Sequence, residues 1–206
     1  EMLLKGRDCA CGMKHTCSIK HIIIGKDANK QLGGLLGDYK KILLVADQNT
    51  YKVCGAEVET LLGKQVEGLV LYQTGDKPLI PNEEALEQLE SAVTDRTEFI
   101  VGVGSGVIND LCKYVSFKKD LPYYIVATAP SMDGYVSVGA ALILGGMKIS
   151  PNARPPKAII ADTRVLKDAP MEMLQAGYGD IMGKLGISSD QLEDMENEVM
   201  NLMHGD

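Results

Sequence analysis

Apolar residues in this chain come in short runs separated by polar stretches. HIIIG (21–25), KILLVAD (41–47), GLVLY (68–72), FIVGVG (99–104), YYIVAT (123–128) and KAIIAD (157–162) are rich in Ile and Val and nearly uninterrupted. Continuous rather than alternating apolarity is how strands read when both faces of a parallel sheet are covered. Helix-like stretches lie between the runs. Residues 82–93 offer Asn82 as N-cap, acids in the first turn, and Leu86, Leu89 and Val93 on one face. Residues 106–116 place Val107, Ile108, Leu111 and Val115 on one face. The alternation predicts an α/β fold, a Rossmann-like parallel sheet with helices on both faces. GAALILGGMKIS (139–150) differs: two short strands around Gly145-Gly146 predict a β-hairpin appended to the sheet. From about Ala169 the strands stop and the chain reads as a short helical remnant, 169–206. There, Ser188 and Gln191 fit a capping box, and Leu192, Met195, Val199, Leu202 and Met203 form the stripe of a core-facing helix.

Composition narrows the partners. The 206 residues are 45% hydrophobic and 24% charged, ordinary for a soluble globular protein. Net charge is −7 and the 21 basic residues are scattered, which argues against a nucleic-acid surface. No apolar run approaches the roughly 20 residues that span a bilayer, so no membrane partner is expected. The opening EMLLKGRDCACG lacks the apolar core of a signal peptide, and a cytoplasmic location is expected. Five cysteines with no regular spacing suit a reducing compartment. Cys9, Cys11, His15 and Cys17 cluster in DCACGMKHTC, but C-x-C-x3-H-x-C is no standard zinc pattern, and a turn near the terminus is the simpler reading.

Four stretches offer chemistry. Gly102, Gly104, Ser105 and Gly106 follow a strand and open a helix, which outlines an anion seat; a tight strand-to-helix turn is the equal alternative. Lys113, two helical turns in, is expected near the nucleotide side. No Walker loop is present, since GYGDIMGKL has the wrong spacing, and G-x-G-x-x-G fails at Val107. Asp47 closes the ILLVAD strand, where an acid either holds a ribose or caps a turn. ATAPSMDGYVS (127–137) presents Thr128, Ser131, Asp133 and Ser137, with Pro130 and Gly134 shaping the loop, at the edge where parallel sheets bind ligands. In QAGYGDIMGK, Asp180 stands at an apparent helix start, as an N-cap or as one oxygen ligand of a divalent metal. The three histidines, His15, His21 and His204, are not spaced as a metal pair on a helix.

GVGSGVINDLCKY, ATAPSMDGYVS and AGYGD together resemble the sn-glycerol-1-phosphate dehydrogenase family, within the wider group of iron-type alcohol dehydrogenases, glycerol dehydrogenases and dehydroquinate synthases. The resemblance runs from roughly Cys9 to Lys184. It implies a nucleotide-binding α/β domain (1–168) followed by an all-helical domain, of which 169–206 would be a truncated remnant. It also implies NAD or NADP, a divalent metal such as zinc or nickel, and reduction of dihydroxyacetone phosphate to sn-glycerol-1-phosphate, a step of phospholipid biosynthesis. By motif, Gly104, Ser105, Gly106, Val107, Ile108, Asn109 and Asp110 would take the cofactor, with Gly106 through Asp110 at the pyrophosphate. Asp47 would hold the adenosine ribose, and Thr128, Ala129, Pro130, Ser131 and Ser137 the nicotinamide side. Asp133 would bind the small phosphorylated substrate, and Asp180 would be catalytic, serving both substrate and metal. After Lys184 the family continues into helices that supply two metal-binding histidines and a substrate histidine, whereas this chain passes into LGISSDQLEDMENEV. An inactive dinucleotide-binding module, or a glycerol dehydrogenase or dehydroquinate synthase-like enzyme, remain alternatives, and homo-oligomer formation stays open.

Overall fold

The computed structural model describes residues 7–8, 10–12 and 14–184. The capping box at Ser188, the methionine stripe, His204 and Cys9 lie outside the described residues. A small antiparallel ladder, β1 (Arg7–Asp8) with β2 (Lys14–His15), precedes the main body. Next come β3 (His21–Gly25), α1 (Leu32–Leu35), β4 (Ile42–Asp47), α2 (Gln48–Thr50), α3 (Ala56–Leu62), β5 (Val66–Tyr72) and α4 (Glu83–Ala92). The second half comprises β6 (Phe99–Gly104), α5 (Gly106–Lys118), β7 (Tyr123–Ala127), β8 (Leu142–Leu144), β9 (Met147–Ile149), β10 (Ala158–Asp162), α6 (Thr163–Leu166) and α7 (Met171–Lys184).

Six strands form one sheet in the order β3-β10-β7-β6-β4-β5, every neighbouring pair parallel. Burial explains the uninterrupted apolar runs. The interior strands β4, β6, β7 and β10 are buried along nearly their whole length, whereas edge strands β3 and β5 leave Ile22, Ile24 and Leu69 exposed. Alternate residues feed two cores. Leu43, Val45, Ile100 and Ile125 meet α4 and α5 through Leu86, Leu89, Ile108 and Leu111. Ile42, Leu44, Ala46, Phe99 and Val101 meet α1 and α3 through Leu32, Val58 and Leu62.

Asn82 caps α4 as expected, its side chain accepting from the Ala85 N–H at 3.1 Å. The hairpin forms around Gly145 and Gly146, whose φ angles of 59° and 75° are those of a tight two-residue turn. It is a separate two-stranded sheet, linked through the Ile143 N–H to the Pro81 carbonyl at 2.9 Å rather than added to the main sheet. Residues 48–62 hold helical structure that the apolar pattern did not announce. A capping box at Asp47 and Thr50 starts it, and a π-turn over Tyr51–Gly55 breaks the usual 3.6-residue period.

Candidate active site

The strand order fixes where a ligand can sit. From β4 the chain steps outward to β5, then returns to place β6 on the other side of β4. The loops leaving β4 and β6 therefore diverge at the carboxyl edge and open a crevice, the place where open parallel sheets bind ligands. Ala46 and Val103 are paired in register, so Asp47 and Gly104 emerge side by side. The next loop is tied to this one, the Thr128 N–H donating to the Gly104 carbonyl at 3.1 Å. A cleft of about 380 Å³ lies here, lined by Asp47, Ser105, Val107, Ile108, Thr128 and Ala129 among others. The segment after β5 (Thr74, Lys77, Pro78, Leu79) and the stretch from α6 into the first turn of α7 (Val165, Asp168 to Pro170, Met173) complete its walls. Sequence reasoning missed both, although the position of the first, directly after the strand beside β4, would have flagged it.

The three glycines do different work. A Cβ on Gly102 would lie 2.9 Å from the Cys112 Sγ, and one on Gly104 would lie 2.6 Å from Ile108. These two let α5 lie tight against β6, so close helix packing rather than a phosphate explains them. Gly106 is open, with only Met132 near, its Sδ 3.5 Å from a Cβ placed there. Ser105 precedes the helix without capping it by its side chain. The first-turn N–H groups of α5 thus face outward at the positive end of a 13-residue helix, an arrangement suited to an anion.

Asp47 caps the turn after β4 and also lines the cleft. Its Oδ1 accepts from the N–H groups of Asn49 at 2.7 Å and Thr50 at 2.9 Å. Other positions are placed differently. The Asn109 side chain is buried, accepting from the Tyr123 hydroxyl at 3.2 Å, so it belongs to the core rather than to the cleft. Lys113 is fully buried and turned away from the cleft. Its Nζ donates to the Gly134 carbonyl at 2.9 Å and to the Ser137 hydroxyl and Gly139 carbonyl at 3.0 Å, with Asp110 at 3.5 Å. The expectation of a nucleotide-side lysine is corrected: this is a strut under the 134–139 loop. Burial pulls the Lys113 pKa down and pushes the Asp110 carboxyl up, and each charge partly offsets the other's shift. Ser137 has one hydroxyl hydrogen, shared between the Gly134 and Gly139 carbonyls, so its side chain serves the same strut.

Ser131 and Asp133 lie farther along the 128–137 loop, outside the cleft lining. The Asp133 N–H donates to the Asp180 Oδ2 at 2.8 Å. Asp180 is not at a helix start; it sits well inside α7. Gly104, Gly106, Asp110, Pro130 and Ser137 are likewise outside the cleft lining. Among the described residues no group of three or more His, Cys, Asp or Glu could hold a metal. His21 starts β3, in register with Ala158 at the start of β10, and so stands at the sheet edge opposite the cleft. Of the cysteine cluster, Cys11 is exposed and Cys17 half-buried. No helix among the described residues is long and apolar enough to cross a membrane.

Comparison with known proteins follows the same lines. Residues 23–170 match the family described as iron-containing alcohol dehydrogenase. The chain is 36% identical over 183 residues to the glycerol-1-phosphate dehydrogenase [NAD(P)+] of Halalkalibacterium halodurans, covering 86% of this chain and 46% of that one. It thus spans about half the length of the curated relatives it matches. Glycerol dehydrogenase from Schizosaccharomyces pombe superposes with a TM-score of 0.68 at 24% identity, over 80% of this chain and 42% of that one. A 2-deoxy-scyllo-inosose synthase, solved with carbaglucose-6-phosphate, NAD+ and Co2+, superposes with a TM-score of 0.66 at 18% identity, over 79% of this chain and 49% of that one.

Proposed function

The chain belongs to the iron-containing alcohol dehydrogenase family, and from that premise we propose that its cleft holds NAD or NADP for the reduction of dihydroxyacetone phosphate to sn-glycerol-1-phosphate. One observation carries the reading. The uncapped start of α5 opens at the sheet's strand-order reversal, between an acid at the end of β4 and hydroxyls after β6 and β7. The residues fit a dinucleotide. The first-turn N–H groups from Gly106 onward take the pyrophosphate, Asp47 accepts from the adenosine ribose, and Thr128 meets the nicotinamide carboxamide. Asp47 also repels a 2′-phosphate, which favours NAD. When bound, the cofactor supplies the hydride that reduces the ketone carbon. The chain's own residues orient it: Val107, Ile108 and Ala129 exclude water along the apolar wall, and Asp133 with Asp180 receives the hydroxylated substrate.

The family's divalent metal is a different matter. A catalytic zinc takes about three protein ligands, and the described residues contribute Asp180 alone, already accepting the Asp133 N–H. These residues do not make a metal site, and no step of the reaction is routed through one. This donor set favours a second reading for the 206-residue chain, a dinucleotide-binding module with little turnover of its own.

Calorimetric titration with NADH and NADPH tests the first reading, and NADH oxidation with dihydroxyacetone phosphate, with and without zinc or nickel, tests the second. Saturable NADH binding with little turnover is expected. In a version carrying the helical half of the relatives, turnover is expected and Asp180→Ala should abolish it. Absence of dinucleotide binding would overturn the proposal, and robust turnover by the 206-residue chain would overturn the account of the metal ligands.

A further inference from the structure

Helix α7 meets the 130–133 loop through one face. Leu174, Gly177 and Asp180 follow each other at three-residue spacing, so they share that face. Gly177 is buried, whereas Tyr178 and Ile181 are 63% and 57% exposed. A Cβ built on Gly177 would lie 1.8 Å from the Pro130 carbonyl oxygen, 2.9 Å from the Pro130 carbonyl carbon and 3.3 Å from that of Ser131. All three are backbone atoms, so no side-chain rotation relieves the contact. Gly179 and Gly183, in the same helix, have nothing within 4 Å of a Cβ placed on them. Glycine weakens a helix interior relative to alanine, and only at Gly177 does a close approach account for it. One turn on, Asp180 accepts the Asp133 N–H at 2.8 Å. The far end of the loop cannot give way easily, because buried Lys113 holds the Gly134 and Gly139 carbonyls.

We propose that Gly177 is a positioning residue for Asp180. Its missing side chain lets α7 rest backbone-to-backbone on Pro130 and Ser131, and from that seat Asp180 reaches the Asp133 amide. Any side chain at 177 lifts the helix off the loop and takes the Asp180 carboxylate away from the Asp133 amide. The inference deepens the proposed function, resting on its reading of Asp133 and Asp180.

The test compares Gly177→Ala with Gly179→Ala, two substitutions with the same intrinsic gain for the helix. The readouts are the Asp133 amide proton resonance and its hydrogen-exchange rate, followed by nuclear magnetic resonance, with Asp180→Ala marking the signal of the lost bond. G177A is expected to shift the Asp133 resonance toward its D180A position and to speed its exchange about tenfold, while amides of β4 and β6 keep their protection. G179A is expected to leave the Asp133 amide unchanged. Asp133 exchange within twofold of the parent in G177A would overturn the proposal. So would equal loss of protection across the sheet, or failure of G177A to fold, since either assigns the glycine to the fold as a whole. Failure of the parent to bind NADH, with the Asp133 result intact, would count against the proposed function and not against this contact.

Discussion

The sheet side and the α7 side of the cleft are built to different standards. On the sheet side the polar groups that shape the site are held by others. Asp47 is locked in a capping box, Thr128 is tied to Gly104, and Lys113 pins the following loop from beneath. On the α7 side the Asp133 N–H donates to the Asp180 carboxylate across the junction, and Met171, Tyr178 and Ile181 stand 63%, 63% and 57% exposed. These large apolar side chains lie on one 14-residue helix, an exposed patch of the kind that a partner surface can cover. The sheet side of the cleft is thus braced by buried partners, and the α7 side is not.

Removing the strut breaks the comparison most severely. Lys113→Met leaves the Asp110 carboxylate without the buried cation beside it and removes the lysine's hydrogen bonds to Gly134, Ser137 and Gly139, and should cost about 3–5 kcal/mol in urea unfolding. A loss below about 1 kcal/mol would mean that the sheet side is no better held than α7. Gly106→Leu should weaken NADH binding at least ~100-fold by calorimetry, a loss of about 2.7 kcal/mol, by filling the mouth of the anion seat. Gly106→Ala should bind nearly as the parent does, because a Cβ there meets only Met132, at an ordinary 3.5 Å.

A smaller effect comes from Asp162, buried at the end of β10. Burial alone would raise its pKa, but hydrogen bonds from Arg164 and the Asn29 N–H, with the Arg164 charge, outweigh it and hold the carboxyl below its ordinary 3.8. A lowered carboxylate stabilises the fold above its unfolded value and loses that contribution as pH falls through the folded value. Urea midpoints should therefore drop as pH is taken below 3.8, and less steeply in Asp162→Asn. The smallest effect is expected on the other side of the cleft. Ile181→Ser should change the stability of this chain by no more than about 0.5 kcal/mol, since an exposed side chain loses little on replacement. A larger loss would show that α7 is already covered.

The strands were legible because double-sided burial leaves uninterrupted apolar runs, and α4 because Asn82 and Leu86 and Leu89 follow simple periodic rules. The stretch after Asp47 was not, since a π-turn over residues 51–55 dissolves the helical period on which such reading depends. In the site, the order of strands brought Asp47, Ser105, Val107, Ile108, Thr128 and Ala129 to one cleft. Lys113 and Asn109 were unreadable for another reason: their partners are a loop and a tyrosine distant in sequence, and a polar residue on a helix carries no mark of burial. Gly102 and Gly104 show the converse, where a glycine-rich loop suggested phosphate contact and helix packing explains two of its members.

A crystal structure of the 206-residue chain with NADH bound tests the central claim most directly. The account predicts the pyrophosphate on the first-turn N–H groups of α5, the adenosine ribose at Asp47 and the nicotinamide beside Thr128. A dinucleotide lying elsewhere on the molecule, or reaching the cleft without touching the start of α5, would contradict it.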